Sequence, residues 1–199
     1  MLTTPLFHAF AAVQADVGLT IEDLGHAMVA ATQAHGENPL YALERGELSE
    51  AEFLALLGTA MSTGTGRPVD LHDFGEKYFA QLKPNGVMIA FLRELKLERG
   101  LRLAMLTNNV REWDARWRAM LPVDELFELV VDSAFVGMRK PDPAIYALTL
   151  ERLGLASEQC VFVDDIDVNV AAARELGMHA VHFVDTDAAV DEIRALVAR

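Results

Sequence analysis

Phe162-Val163-Asp164-Asp165-Ile166-Asp167-Val168-Asn169 is the stretch on which the fold turns. It closes an apolar run that begins at Cys160, places two adjacent carboxylates at the exit of that run, and leads into an amphipathic segment stopped by Gly177. A short strand followed at once by a helix is the repeating unit of a parallel sheet, because parallel neighbours need a crossover between them. The unit recurs after Gly100. Strands are predicted at Leu101 to Leu106, Leu129 to Asp132, Cys160 to Val163 and His179 to Val184. Helices are predicted near Val110 to Met120, Pro143 to Leu153, Val168 to Leu176 and Ala188 to Ala198, and Gly154 stops the second of these. This is an α/β half.

Upstream, from Pro5 to about Arg99, the pattern is helical. Phe53, Leu56, Leu57 and Ala60, and again Met88, Phe91, Leu92 and Leu95, recur at the spacing of one helix face. Thr4-Pro5 reads as an N-cap and first helical residue, while Thr20 with Asp23, Ser49 with Glu52, and Asp70 with Asp73 have capping-box spacing. Gly18, Gly36, Gly46 and Gly100 read as helix stops, and Ser62 to Pro68 as a loop between helices.

The bulk properties narrow the function. The 199 residues suit one domain of roughly 150 residues plus an insert. A net charge of −13 sets the average field against nucleic acid and anionic membranes, so a phosphate ligand needs a local cation. One cysteine, Cys160, excludes an intramolecular disulfide and a four-cysteine metal cluster. The start lacks a basic, long apolar leader, and no later stretch approaches about 18 apolar residues in a row. The expectation is a cytoplasmic protein without nucleic-acid or membrane partners. The six histidines lie apart, Gly64-Thr65-Gly66 lacks the third glycine of a dinucleotide fingerprint, and Trp113 and Trp117 read as a helix face packed on the sheet.

Ligands of open parallel sheets bind beyond the carboxyl ends of the strands. Three motifs sit there. Leu106-Thr107-Asn108-Asn109 offers a hydroxyl and free backbone N–H groups, which can hold phosphate oxygens. Taken alone, it is more simply a threonine closing a strand and an asparagine capping a helix. Gly137-Met138-Arg139-Lys140-Pro141-Asp142-Pro143 puts Lys140 on a backbone stiffened by two prolines, where it can neutralise phosphate as a point charge. Taken alone, Lys140 and Arg139 are solvated side chains of a turn. The third motif is the opening stretch. Adjacent carboxylates at 164 and 165, with Asn169 four residues on, suit Mg²⁺, which binds through one or two carboxylates and keeps waters. Its plainer reading, with Asp167 as a helix cap, leaves the repulsion between the two neighbours unexplained.

In this order and strand placement the three resemble motifs II, III and IV of the haloacid dehalogenase (HAD) superfamily. The stretches 137–146 and 161–178 look like the branch that includes the N-terminal phosphatase domain of soluble epoxide hydrolases, and Leu43-Glu44-Arg45-Gly46-Glu47-Leu48 is typical of that branch's helical caps. The resemblance implies a Rossmann-like parallel sheet formed by residues 1–15 and 83–199, with an α-helical cap inserted at 16–82. It implies that Thr107 and the Asn108 backbone hold the transferring phosphoryl group, that Lys140 steadies phosphate and nucleophile, that Asp165 binds Mg²⁺, and that Asp164 and Asn169 support it from behind. The reaction would be phosphomonoester hydrolysis of a small phosphorylated substrate through an aspartyl-phosphate.

One element of the family pattern has no counterpart here. Motif I is an apolar strand ending in Asp-x-Asp or Asp-x-Gly, followed by a segment like Leu2-Thr3-Thr4-Pro5, whereas this sequence starts at Met1 and its first aspartate, Asp16, follows no strand. The expectation is a sheet lacking its central strand between the strands ending at Thr107 and Asp164, with the slot filled by another chain, closed by rearrangement, or restored by an earlier start. The 199 residues as given are then expected to show essentially no turnover, with a lean toward a homodimer if the slot is covered. The alternative is a non-catalytic HAD-fold binding protein. A receiver domain also gathers Asp, Thr and Lys around Mg²⁺, but its acidic pair should come first. Phe7, Phe10, Tyr41 and Phe74 are candidates for a substrate pocket, with core packing as their plainer role.

Overall fold

The computed structural model describes residues 1–3 and 20–198. The expectations placed on Thr4-Pro5, Phe7, Phe10, Asp16 and Gly18 lie outside the described residues. The helical half contains α1 (Ile21–His35), α2 (Pro39–Glu44), α3 (Glu50–Thr65), α4 (Phe74–Gln81) and α5 (Gly86–Leu97). Local chemistry sets their ends. At α1 the Asp23 N–H donates to Thr20 Oγ1 at 3.0 Å while the Thr20 N–H donates to Asp23 at 2.8 Å, and Ser49 with Glu52 repeats the arrangement at α3. Gly36, in the left-handed conformation with φ 92°, ends α1.

Two local expectations fail. Asp73 stands at the N-cap of α4 without a side-chain capping bond, its carboxylate pairing with Lys77 at 3.1 Å, while Asp70 accepts from the nearby His72 N–H at 3.0 Å and closes a small turn of its own. The Ser62 to Pro68 stretch is not all loop. Helix α3 runs on to Thr65, since the hydroxyls of Ser62, Thr63 and Thr65 each donate to the carbonyl four residues back and are satisfied inside the helix.

The second half alternates β1 (Ala104–Thr107), α6 (Asp114–Met120), α7 (Val123–Leu126), β2 (Leu129–Asp132), α8 (Ser133–Val136), α9 (Pro143–Leu153), β3 (Val161–Asp164), α10 (Asp167–Glu175), β4 (His179–His182) and α11 (Thr186–Val197). Strands β1 and β2 pair in parallel with Thr107 opposite Asp132, and β3 and β4 pair in parallel with Asp164 opposite His182. Among the described residues these are two separate two-stranded sheets. Main-chain groups alternate sides along a strand. Because the Leu103 carbonyl accepts from Glu128 and those of Cys160 and Asp164 accept from His179 and Phe183, the groups of Ala104, Leu106, Val161 and Val163 face away from their paired strands.

Among the described residues three apolar clusters fix the architecture. Ala27, Leu43, Phe53, Leu57, Met61, Phe74 and Tyr78 form the centre of the helical half, so the pocket role considered for Phe74 gives way to core packing. Met88, Phe91 and Leu95 of α5 pack with Val181 of β4 and with Ala189, Val190 and Ile193 of α11. Val131, Ile145, Tyr146 and Ala173 seal β2 against α9 and α10. Trp113 does not pack on the sheet: its ring stacks on Tyr78 at 4.9 Å and meets Phe79 edge-on, so it joins the two halves. Asn85 ties three distant segments together, donating through its side-chain amide to the Met1 carbonyl at 3.0 Å and to Thr186 Oγ1 at 2.9 Å, and through its N–H to the Leu2 carbonyl.

Candidate active site

The carboxyl ends of β1 and β3 are bridged by one side chain. Lys140 is 6% exposed, and its ammonium donates to the Leu106 carbonyl at 2.9 Å and to Asp164 Oδ2 at 2.6 Å. The solvated-turn reading of Lys140 is therefore wrong. A buried cation persists only when paired and hydrogen-bonded, and here both conditions are met. Asn108 orients it: Oδ1 accepts from the Lys140 N–H at 2.8 Å and Nδ2 donates to the Lys140 carbonyl at 3.0 Å, clamping that residue's main chain from both sides. Thr107 is the last residue of β1, directly after the carbonyl that Lys140 engages.

Asp164, 2% exposed, is held on all sides. Besides Lys140, it accepts at Oδ1 from the Ile166 N–H at 2.9 Å and from Asn169 Nδ2 at 3.1 Å. The Asn169 carbonyl in turn accepts from the buried Tyr146 hydroxyl at 2.9 Å. Asp167 caps nothing; Ile166 is the N-cap residue of α10, and its own N–H donates to Asp164 Oδ1. Asp165 is exposed beside this network, with its carbonyl facing His182 Nε2 at 3.3 Å. Thus Thr107, Asn108, Lys140, Asp164, Asp165 and Asn169 gather at one end of the two strand pairs.

This donor set fits a hard divalent cation. The side chain of Asp165 projects freely next to a carboxylate already fixed by three donors, so one carboxylate can ligate while the other holds its surroundings rigid. Among the described residues no group of three or more His, Cys, Asp or Glu side chains could hold a metal. A cation bound here would keep water or substrate oxygens, as Mg²⁺ does. A cleft of about 890 Å³ lies elsewhere, between α1 and α3, and none of the motif residues lines it.

Two further residues complete the wall. Arg139, adjacent to Lys140, donates from Nε to Glu44 Oε2 at 2.5 Å, and its guanidinium lies 4.0 Å from the centre of the Tyr41 ring. Glu44 also meets Asn108 Nδ2 at 3.4 Å, and burial raises its carboxyl pKa against the opposing pull of Arg139. No spacing rule pointed to this pair, because its members are separated by 95 positions. Behind the site, Asp132 at the end of β2 is 4% exposed; Oδ1 accepts from the Ala134 N–H at 3.0 Å, whereas Oδ2 has no partner among the described residues. Burial pushes its pKa up to about 6.

Comparison with known proteins agrees with this geometry. Residues 2–177 match the family model of haloacid dehalogenase-like hydrolases. The chain is 36% identical over 123 residues to a sesquiterpene phosphatase of Aspergillus oryzae, covering 58% of this chain and 59% of that protein. It is 34% identical over 122 residues to the bifunctional epoxide hydrolase 2 of Sus scrofa, covering 59% of this chain and 22% of that protein. The chain thus spans less than two thirds of the length of either relative. Among solved structures, a HAD family enzyme of Bacteroides thetaiotaomicron superposes with a TM-score of 0.62 at 21% identity, covering 91% of this chain and 87% of that one, and it has also been solved with magnesium and inorganic phosphate. The protein belongs to the haloacid dehalogenase-like hydrolase family, with an α/β HAD-type fold and a helical cap.

Proposed function

We propose that this site serves Mg²⁺-dependent phosphomonoester hydrolysis through an aspartyl-phosphate in the full-length lineage, with residues 16–82 as the cap over a core of 1–15 and 83–199. The observation that carries the reading is the buried Lys140 ammonium held between the Leu106 carbonyl and Asp164 at the ends of two strands. A cation fixed at such cost in a strongly acidic protein marks a place where anionic oxygens are received. In this reading Thr107 and the Asn108 backbone hold the phosphoryl oxygens, and Lys140 offsets their charge. Asp165 ligates Mg²⁺ while Asp164 and Asn169 orient the surroundings. The cation supplies charge neutralisation on the phosphoryl group.

The attacking carboxylate is assigned, through the family resemblance, to a strand preceding the segment that includes Leu2 and Thr3. Residues 1–199 are accordingly expected to bind phosphate rather than turn it over, and a chain extended upstream is expected to hydrolyse a generic aryl phosphate with Mg²⁺. Titration of residues 1–199 with inorganic phosphate in the presence and absence of Mg²⁺ tests the site directly. Binding should require the metal, and Thr107→Val should weaken it about tenfold, the loss of one hydrogen bond to a charged group. Metal-independent binding, or none at all, overturns the reading. Phosphate binding without turnover in the extended chain would favour a non-catalytic binding protein. The substrate is a small phosphorylated molecule acting alone, without nucleic acid; a homodimer and a cytoplasmic setting belong to the same proposal. No helix among the described residues is long and apolar enough to cross a membrane.

A further inference from the structure

The Arg139–Glu44 contact decides what else the site accepts. Arg139 follows the phosphate-site turn immediately before Lys140, and a guanidinium at that position would be a second anion receptor next to the first. Glu44 opposes its charge at Nε, whereas the Lys140 ammonium, with three hydrogens and two bonds to protein, keeps one for a ligand. Glu44 reaches from cap helix α2, takes the Nε hydrogen at 2.5 Å, and leaves both side chains mostly buried, at 19% and 16% exposure. Tyr41, one turn earlier on α2, lays its ring over the guanidinium at 4.0 Å. What the cap presents to a bound ester near this wall is therefore a neutralised pair faced by an aromatic ring. Beyond it lies the stacked group of Tyr78, Phe74, Phe79 and Trp113, with Tyr78 close enough to feel the charge of Asp165.

We propose that Glu44 is a specificity-determining residue: by occupying Arg139 it excludes leaving groups that carry a second anion, so the substrates are phosphate esters of uncharged, apolar or aromatic alcohols. This rests on the phosphate-site reading above. An additional carboxylate or phosphate on the leaving group would meet a guanidinium already opposed by Glu44, and would shed its water without a full counter-charge in return. An aromatic or alkyl group meets Tyr41 and loses nothing.

Stable phosphonates test this without turnover. Affinities of the full 1–199 chain for benzylphosphonate and for phosphonoacetate, measured by calorimetry with Mg²⁺ present, give a selectivity ratio, and inorganic phosphate serves as the reference ligand. The wild type is expected to favour benzylphosphonate by about tenfold or more. Glu44→Gln keeps the side chain's shape and its hydrogen bond while releasing the guanidinium, and should shift the ratio toward phosphonoacetate by about tenfold. Adding Arg139→Gln to Glu44→Gln removes the released charge and should return the ratio toward the wild-type value, which loosened packing would not do. A wild type that prefers phosphonoacetate, a ratio that Glu44→Gln leaves in place, or a double variant that keeps the shifted ratio each overturns the proposal. Failure of inorganic phosphate itself to bind would instead remove the phosphate-site reading beneath it. Should Glu44→Gln fail to fold, Tyr41→Leu offers a second measurement: it strips the ring from the guanidinium and should reduce the benzylphosphonate preference alone.

Discussion

Asp132 shows what one residue costs when its position is fixed by something other than its own comfort. A carboxylate that is nearly inaccessible, with one oxygen bonded to the Ala134 N–H and the other unsatisfied, is more easily protonated in the folded protein than in the unfolded chain. Its pKa rises from 3.8 to about 6, mainly through burial, with the neighbouring Asp114 adding to the effect and Arg118 and Arg111 opposing it. Between those two pH values the folded state binds more protons than the unfolded one, so stability falls as pH rises through the window. Asp132→Asn removes this linkage. Urea denaturation at pH 4 and pH 7 should show the difference between variant and wild type moving in the variant's favour by about 2 kcal/mol. A difference that stays flat across the window would mean that Asp132 is solvated or paired. The same scale explains what could be read from the sequence alone. Asp164, Asp165 and Asn169 were legible because adjacent carboxylates at a strand exit conflict with their own electrostatics unless something answers them. Arg139 was not, since an arginine in a turn is ordinary until its partner, 95 positions away, is placed against it.

Among the elements, α2 and the turn after it dock the cap onto the core. Helix α2 packs against α8, and Gly46, with φ 69°, brings its backbone so close that a Cβ would collide with the Ala134 carbonyl and the Arg111 guanidinium. Gly66 has the same φ of 69° with open space around it. The two glycines therefore separate conformational strain from steric exclusion. Gly66→Ala should cost about 1 kcal/mol, the penalty of a side chain in the left-handed region, whereas Gly46→Ala should cost at least about 2 kcal/mol because the docking surface must also retreat. Thermal or urea denaturation of both variants decides it, and equal losses would show that the turn does not touch the core in solution. Capping boxes at Thr20 and Ser49 and the glycine stops could be read ahead of the structure because they are local. The overrun of α3 through Thr65 could not, because its polar residues look like loop until their hydroxyls are seen bonding back into the helix.

At the scale of the whole molecule, the two parallel strand pairs among the described residues are joined at their carboxyl ends by the Lys140 side chain rather than by a ladder. The amides of Ala104, Leu106, Val161 and Val163 face away from their paired strands, and those residues are only partly buried. Hydrogen exchange followed by NMR should find these amides less protected than those of Met105 and Phe162, which face β2 and β4. Uniform protection along both strands would mean that the outward edges are covered. The sequence rhythm identified the four strands of the described residues to within a few positions, because strand-helix alternation is a one-dimensional signal. Division into two sheets depends on which strands are present to be neighbours, and no periodicity records that.

The Asn85 tie has a mechanical consequence. Its amide grips the Met1 carbonyl and the Thr186 hydroxyl at the head of α11 while its own side-chain oxygen caps α5, so three parts of the chain far apart in sequence share one latch. Slack at any of them is felt by the other two without passing through either strand pair.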